Sequence, residues 1–236
     1  MLGLLCSLIP GSVIAGSDPV LAFLLATGTL IGIILPDIHM KRPKETSLLS
    51  VAWMVVRAGR LICVPLLCRV YRGLFGIDCP TDDKRLTHSL IGVFWYSVVL
   101  SGIVFGLALP SGDPRVVLPA TGFAAGLVFG LLLHLVQDAC TKKGIFPLYP
   151  FTETRLTGSI RPCDVMDRRI TGFHVYHSTV LFFFMLIQSA ATVPVYSMVG
   201  FGIFSLGLCN VTMVWQSETR IEYPPAESVS GEGVTT

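Results

Sequence analysis

The chain has 236 residues, 52% hydrophobic and only 14% charged, with a mean hydropathy of +0.71. A soluble domain carries about a quarter charged residues, so the composition excludes an ordinary soluble enzyme and points to a polytopic membrane protein. The net charge of +2 says little about partners, because the charges are segregated along the chain, and nothing in it points to nucleic acid.

Apolar runs fall at about 2–16, 19–36, 88–110, 117–137, 173–192 and 195–215, most of them near the length of about 20 residues that a spanning helix needs. The first is short and holds Pro10 and Gly11, which suits a tilted, broken or partly inserted segment. It lacks a basic leader and a cleavage site and is read as retained. Gly16-Ser17-Asp18-Pro19 and Ser111-Gly112-Asp113-Pro114 are tight turns between runs, and Val193-Pro194 separates the last two. The expected fold is all-α, a polytopic membrane helix bundle of about five to six spans plus interfacial helices. One domain is expected over 1–217, followed by a Ser/Gly/Glu/Pro-rich tail, 218–236, read as disordered.

Between the second and third runs, Ser47 to Cys63 and Pro65 to Phe75 are apolar but carry Arg57/Arg60 and Arg69/Arg72 at helical spacing. Two interfacial helices on an anionic leaflet fit this pattern, and a re-entrant hairpin is the alternative. Seven cysteines, an odd number without a CxxC pair, read as free thiols.

The charges then orient the spans. Nine Lys/Arg lie in 37–87, six in 139–172 and Arg220 in the tail, whereas Arg115 alone lies opposite. The positive-inside rule puts both long loops and both termini in the cytoplasm. That arrangement brings Asp37, His39, His88, His134, Asp138, His174 and His177 to the cytoplasmic ends of spans, and these include all five histidines.

Ionisable residues inside or at the end of a span mark function more often than stability. His134 and Asp138, four apart, share one helix face and could clamp a metal, with Asp37 and His88 completing the site from neighbouring helices. Imidazole and carboxylate without thiolate suit a divalent ion: Zn first, with Mn or Fe as alternatives. Each residue also has a plainer reading. Asp37 could cap a turn, His88 could face headgroups at a helix start, and His134–Asp138 could be a structural hydrogen-bonded pair. His174 and His177 read as interface residues.

Three blocks carry a family resemblance. Leu35-Pro36-Asp37-Ile38, then Leu86-Thr87-His88-Ser89-Leu90, then His134-x-x-x-Asp138-x-x-Thr141-x-x-Gly144-Ile145-x-Pro147-Leu148-x-Pro150-Phe151 resemble the YdjM-like predicted membrane-bound metal-dependent hydrolases. That family is distantly similar to zinc-dependent phospholipase C. The resemblance covers roughly residues 19 to 172 and implies Asp37, His39, His88, His134 and Asp138 as metal ligands, with Asp37, His88 and Asp138 in catalytic roles. The chain departs from the family pattern at His39, where the family has Asp, at Asp83, where it has His, and at Arg85, where it has Gly.

The reading is a metal-dependent hydrolase of a prokaryotic plasma or inner membrane. It would contact lipid and act on a phosphoester of a lipid or another small amphiphilic substrate. The alternative is a non-catalytic metal-binding scaffold or a transporter.

Overall fold

The computed structural model describes residues 2–15, 18–37, 47–162, 164, 166–190 and 194–224. Among them are eight α-helices: α1 (Leu2–Ala15), α2 (Pro19–Ile34), α3 (Ser47–Val70), α4 (Lys84–Thr87), α5 (Leu90–Ala108), α6 (Pro114–Ala139), α7 (Arg169–Ala190) and α8 (Val195–Gln216). The chain is thus a mostly helical membrane bundle. Four helices, in α5, α6, α7 and α8, are long and apolar enough to cross a membrane, and α2 is a shorter apolar helix. At about 1.5 Å per residue, the 14 residues of α1 and 16 of α2 fall short of the roughly 30 Å hydrocarbon core.

The turns between runs act as helix caps. Asp18 accepts from the backbone N–H groups of Val20 and Leu21, and Asp113 accepts from that of Arg115. In each case a proline occupies the first helical turn, where its missing N–H costs nothing.

The segment 47–75 departs from expectation. It forms one helix that runs through Pro65 and ends in a π-helical turn, Tyr71–Phe75, not two separate helices. Its buried residues Cys63, Val64, Leu67 and Tyr71 lie on one face, while Leu61 and Ile62 stay exposed. Trp95 of α5 donates its indole N–H to the Cys63 carbonyl at 3.0 Å, which ties α3 to the bundle.

Within lipid the hydrophobic effect cannot drive helix pairing, so close van der Waals fit must do it. The seam between α2 and α6 has that form. Gly28 and Gly32 on α2 face Phe123 and Leu127 of α6, and Gly122, Gly126 and Gly130 on α6 face Leu21, Leu25 and Thr29 of α2. A Cβ at Gly28, Gly126 or Gly130 would collide with the partner's backbone carbonyl. Residue numbers rise together along the seam, so the two helices run parallel and their C-terminal ends come out side by side.

Three apolar clusters divide the bundle, the third of them formed by Cys140, Ile160, Phe173 and Met213. Leu35, Val64, Leu86, Val93, Leu127, Leu131 and Ile145 join α2, α3, α5, α6 and the following loop. Ile9, Leu181, Phe184 and Met198 join α1, α7 and α8. The loop after α6 folds back on the first cluster. Its Pro147 carbonyl accepts from the Leu90 N–H at 2.9 Å, and Gly144 turns with φ +60 against the Leu156 backbone, a conformation that favours glycine. A two-stranded antiparallel ribbon follows, β1 (Arg155–Thr157) paired with β2 (Arg220–Glu222), with Leu156 opposite Ile221. Order therefore extends past residue 217, into the segment read from sequence as the start of the tail. Six cysteines among the described residues are free thiols.

Candidate metal centre

Three chain segments deliver the site. The parallel α2–α6 seam sets Asp37, three residues beyond α2, beside His134 and Asp138 in the last two turns of α6. The short turn α4 and the Ser89 cap, which accepts from the Gly92 N–H at 2.9 Å, place His88 between them. One ligand atom each from Asp37, His88 and His134 lies within 4.8 Å of the others.

Asp138 joins this group through both histidines. Its Oδ2 is 3.2 Å from His134 Nε2 and 3.4 Å from His88 Nε2, while Asp37 Oδ1 is 3.4 Å from the same His88 nitrogen. Atoms about 2.0–2.2 Å from a shared tetrahedral ion stand about 3.4 Å from one another. Each of these three contacts is near that edge length, with Asp138 outside the group of three whose ligand atoms all lie within 4.8 Å of one another.

The protonation pattern of His88 strengthens the fit. Its Nδ1 lies 2.9 Å from the Lys84 carbonyl and 3.0 Å from Thr87 Oγ1, and that hydroxyl itself donates to the Lys84 carbonyl. A carbonyl only accepts, so Nδ1 carries the hydrogen. Nε2 then faces two carboxylates, each 3.4 Å away, where a cation would fit. A backbone carbonyl that accepts from the far ring nitrogen and fixes the tautomer in this way is the usual support of a metal-binding histidine. His134 gives a parallel signal, because its Nε2 is buried and makes no well-aligned hydrogen bond. A buried ring nitrogen left so is costly. The donor set of two imidazoles and carboxylates suits Zn, Mn or Fe.

Side-chain exposure rises from 6% at His134 through 15% at His88 and 28% at Asp138 to 49% at Asp37. The group is therefore closed at the α6 side and open toward a cleft. That cleft holds about 170 Å³ and is lined by Asp37, His88, Asp138, Lys84, Arg85 and Lys143, with Thr141 and residues 144–146 behind them. The hydrogen bond with His88 is the main influence on Asp37 and holds its carboxyl below the usual range, against partial burial.

The two departures from the family pattern that lie among the described residues bind one another. Arg85 grips Asp83 through Nε, 3.2 Å from Oδ1, and Nη2, 2.9 Å from Oδ2. Asp83 also accepts from the Arg85 N–H at 2.9 Å and from the Tyr149 hydroxyl at 2.7 Å. The Arg85 guanidinium stacks 4.3 Å over the Tyr149 ring. Burial works against ionisation of Asp83, but these bonds outweigh it and hold the carboxyl low, while Tyr149 is pushed up to about 12, chiefly by burial and then by Asp83.

Of the residues singled out from sequence, Asp37, His88, His134 and Asp138 come together, and His39 lies outside the described residues. His177 is buried with Nδ1 2.7 Å from the Phe173 carbonyl, and neither it nor His174 joins the group. Sequence reasoning passed over Lys143 as one loop charge among several, and over Tyr149, whose contact with Asp83 spans 66 positions. No local pattern announces such a contact.

No curated protein and no solved structure matches the chain. The model of the YdjM inner membrane protein family matches residues 1–216. That span takes in every helix and all four clustered residues, and the chain belongs to the YdjM inner membrane protein family.

Proposed function

We propose that the chain is a membrane-bound metal-dependent hydrolase that acts at the cytoplasmic face of a prokaryotic inner membrane, on a phosphoester of a lipid or other amphiphile. The observation that carries this reading is the convergence of Asp37, His88 and His134, from three separate segments, within 4.8 Å. Their side chains would hold a divalent ion, with Asp138 against both histidines. Such an ion supplies Lewis acidity toward a phosphoryl oxygen and acidifies water. His134, buried on α6, and His88, oriented by the Lys84 carbonyl, fix the inner wall. Asp138 is partly exposed to the cleft and adjoins both rings, which suits it to take a proton from water. Asp37 at the mouth contributes negative charge and access. The Lys/Arg excess of loops 37–87 and 139–172 supports the stated orientation through the positive-inside rule.

The test is metal content and hydrolysis of phospholipid and generic phosphoester substrates, measured side by side on the wild type, His134→Ala and Asp138→Asn. His134→Ala should lose both metal and turnover. Asp138→Asn keeps the shape and should lose turnover by about 10²- to 10⁴-fold, the usual weight of a general base. Bound metal without turnover on any of these substrates would overturn the hydrolase reading and leave a metal-binding scaffold. Turnover that survives His134→Ala would place the chemistry elsewhere.

A further inference from the structure

The charges around the cleft separate into two sets. Asp37 and Asp138 belong to the ion site and would be offset by a divalent ion. Asp83 is offset by Arg85, which it grips through two nitrogens. Two cations remain on the lining, Lys84 from α4 and Lys143 from the loop after α6. Neither makes an ion pair within 4.0 Å among the described residues. The two lysines are 59 positions apart in sequence and line one cleft where the loop after α6 packs on the start of α5 through the Leu90–Pro147 hydrogen bond. Arg85 stands beside them as a rigid wall, stacked on Tyr149.

The geometry points to a recognition seat for a dianionic terminal phosphate, a phosphomonoester carried on an amphiphile, with Lys84 and Lys143 as its specificity residues; the inference rests on the hydrolase reading above. Charge selects the class. A phosphomonoester carries close to two negative charges at neutral pH, which two ammonium groups beside a neutralised ion site match, whereas a phosphodiester carries one. Size selects the rest of the molecule. The cleft's 170 Å³ is below the range of about 300–1,000 Å³ that encloses a drug-sized ligand, so a headgroup enters and the remainder stays outside. The chain supplies an apolar rim for that remainder: Leu90 and Leu148, each two residues from a lining residue, are 47% and 48% exposed.

The experiment uses the full chain, purified in detergent and loaded with zinc, with inorganic phosphate and dimethyl phosphate as calorimetric probes. Phosphate should bind at least tenfold tighter than dimethyl phosphate. Lys84→Gln and Lys143→Gln should each weaken phosphate about tenfold, the weight of one charge-assisted hydrogen bond, weaken dimethyl phosphate much less, and leave zinc content unchanged. Equal affinity for the two anions, or phosphate affinity that survives the double variant, would overturn the seat. If zinc is absent from the wild type while phosphate still binds in a lysine-dependent way, the ion reading falls and the seat stands. A second arm compares phosphatidic acid with phosphatidylglycerol in mixed micelles, and with soluble glycerol phosphate. Hydrolysis, followed as loss of each substrate, should favour phosphatidic acid over both. Preference for glycerol phosphate would assign the seat to a soluble phosphomonoester, and preference for phosphatidylglycerol would refute the dianion selection.

Discussion

Gly130 lies one helical turn before His134, and nothing about it is chemical, so Gly130→Ala tests whether the α2–α6 seam sets the site. A Cβ there would meet the Ile33 nitrogen and the Thr29 carbonyl carbon at 3.0 Å each, and would overlap the Thr29 carbonyl oxygen. Ordinary contact for a methyl begins near 3.4 Å, and the obstacles are backbone, which cannot rotate away. The helices must therefore part by several tenths of an ångström to about 1 Å. A metal site tolerates about 0.2 Å in its ligand distances, and Asp37 and His134 stand on opposite sides of the seam. Overpacking of this kind costs about 1–3 kcal/mol, equivalent to about a 5- to 150-fold loss of zinc affinity if the strain is relieved by opening the site. Gly106→Ala on α5 is the matched control, since nothing lies within 4 Å of its added Cβ, and alanine there should be neutral or favourable. Zinc affinity by competitive chelator titration and the melting temperature in detergent, taken together on both variants, read the outcome. Wild-type melting and wild-type zinc affinity in Gly130→Ala would refute the seam as the element that positions the site.

The Asp83–Arg85–Tyr149 group predicts an acid-sensitive contribution to stability. Asp83 is held below its unfolded value of about 3.9, so its stabilisation is fully present above that pH and is lost as pH falls through the lower folded value. Asp83→Asn should lower the melting temperature at pH 7 and flatten the decline between pH 5 and 3. The Arg85 side chain is 40% exposed, so the ion-pair share should stay below about 1 kcal/mol. Tyr149→Phe should cost about 1 kcal/mol more than that pair alone, by loss of a hydrogen bond to a buried carboxylate; no change in melting would show the contact to be slack. A reporter fused at Ser111 should read the side opposite to fusions in 139–172, and the same side for both would overturn the assigned orientation. His39→Asp, which restores the family pattern, should preserve or raise metal-dependent turnover, and its abolition would mean that the histidine is itself required.

Some of this architecture is local and so was legible in the chain. A spanning helix satisfies its own backbone and announces itself by a long, mostly apolar run without charges, as Leu90–Ala108 and Val195–Gln216 do. Asp18-Pro19 and Asp113-Pro114 mark helix starts because a cap acts on the next three residues. The pair His134 and Asp138 follows from helical periodicity alone. Segment 47–75 does not show its single helix in the sequence, because a proline and paired arginines interrupt the apolar pattern, while the interior face made by Cys63, Val64, Leu67 and Tyr71 only exists once α5 and α2 are there to cover it. The ribbon partner of Arg220–Glu222 lies more than sixty positions away, beyond any local signal.

The site divides in the same way. Sequence by itself determined that the chain is a helical membrane protein and which side chains are chemically able to form a centre, because residue type and span ends are properties of short segments. Only the tertiary structure decided that Asp37, His88 and His134 meet, that Asp138 touches both rings, and that Lys84 and Lys143 share one cleft. The glycine spacing at 122, 126 and 130 was present in the sequence, yet it does not say which helix will approach it. The approach is fixed by the fit of two backbones along their whole length, and that fit brings the functional ends into register.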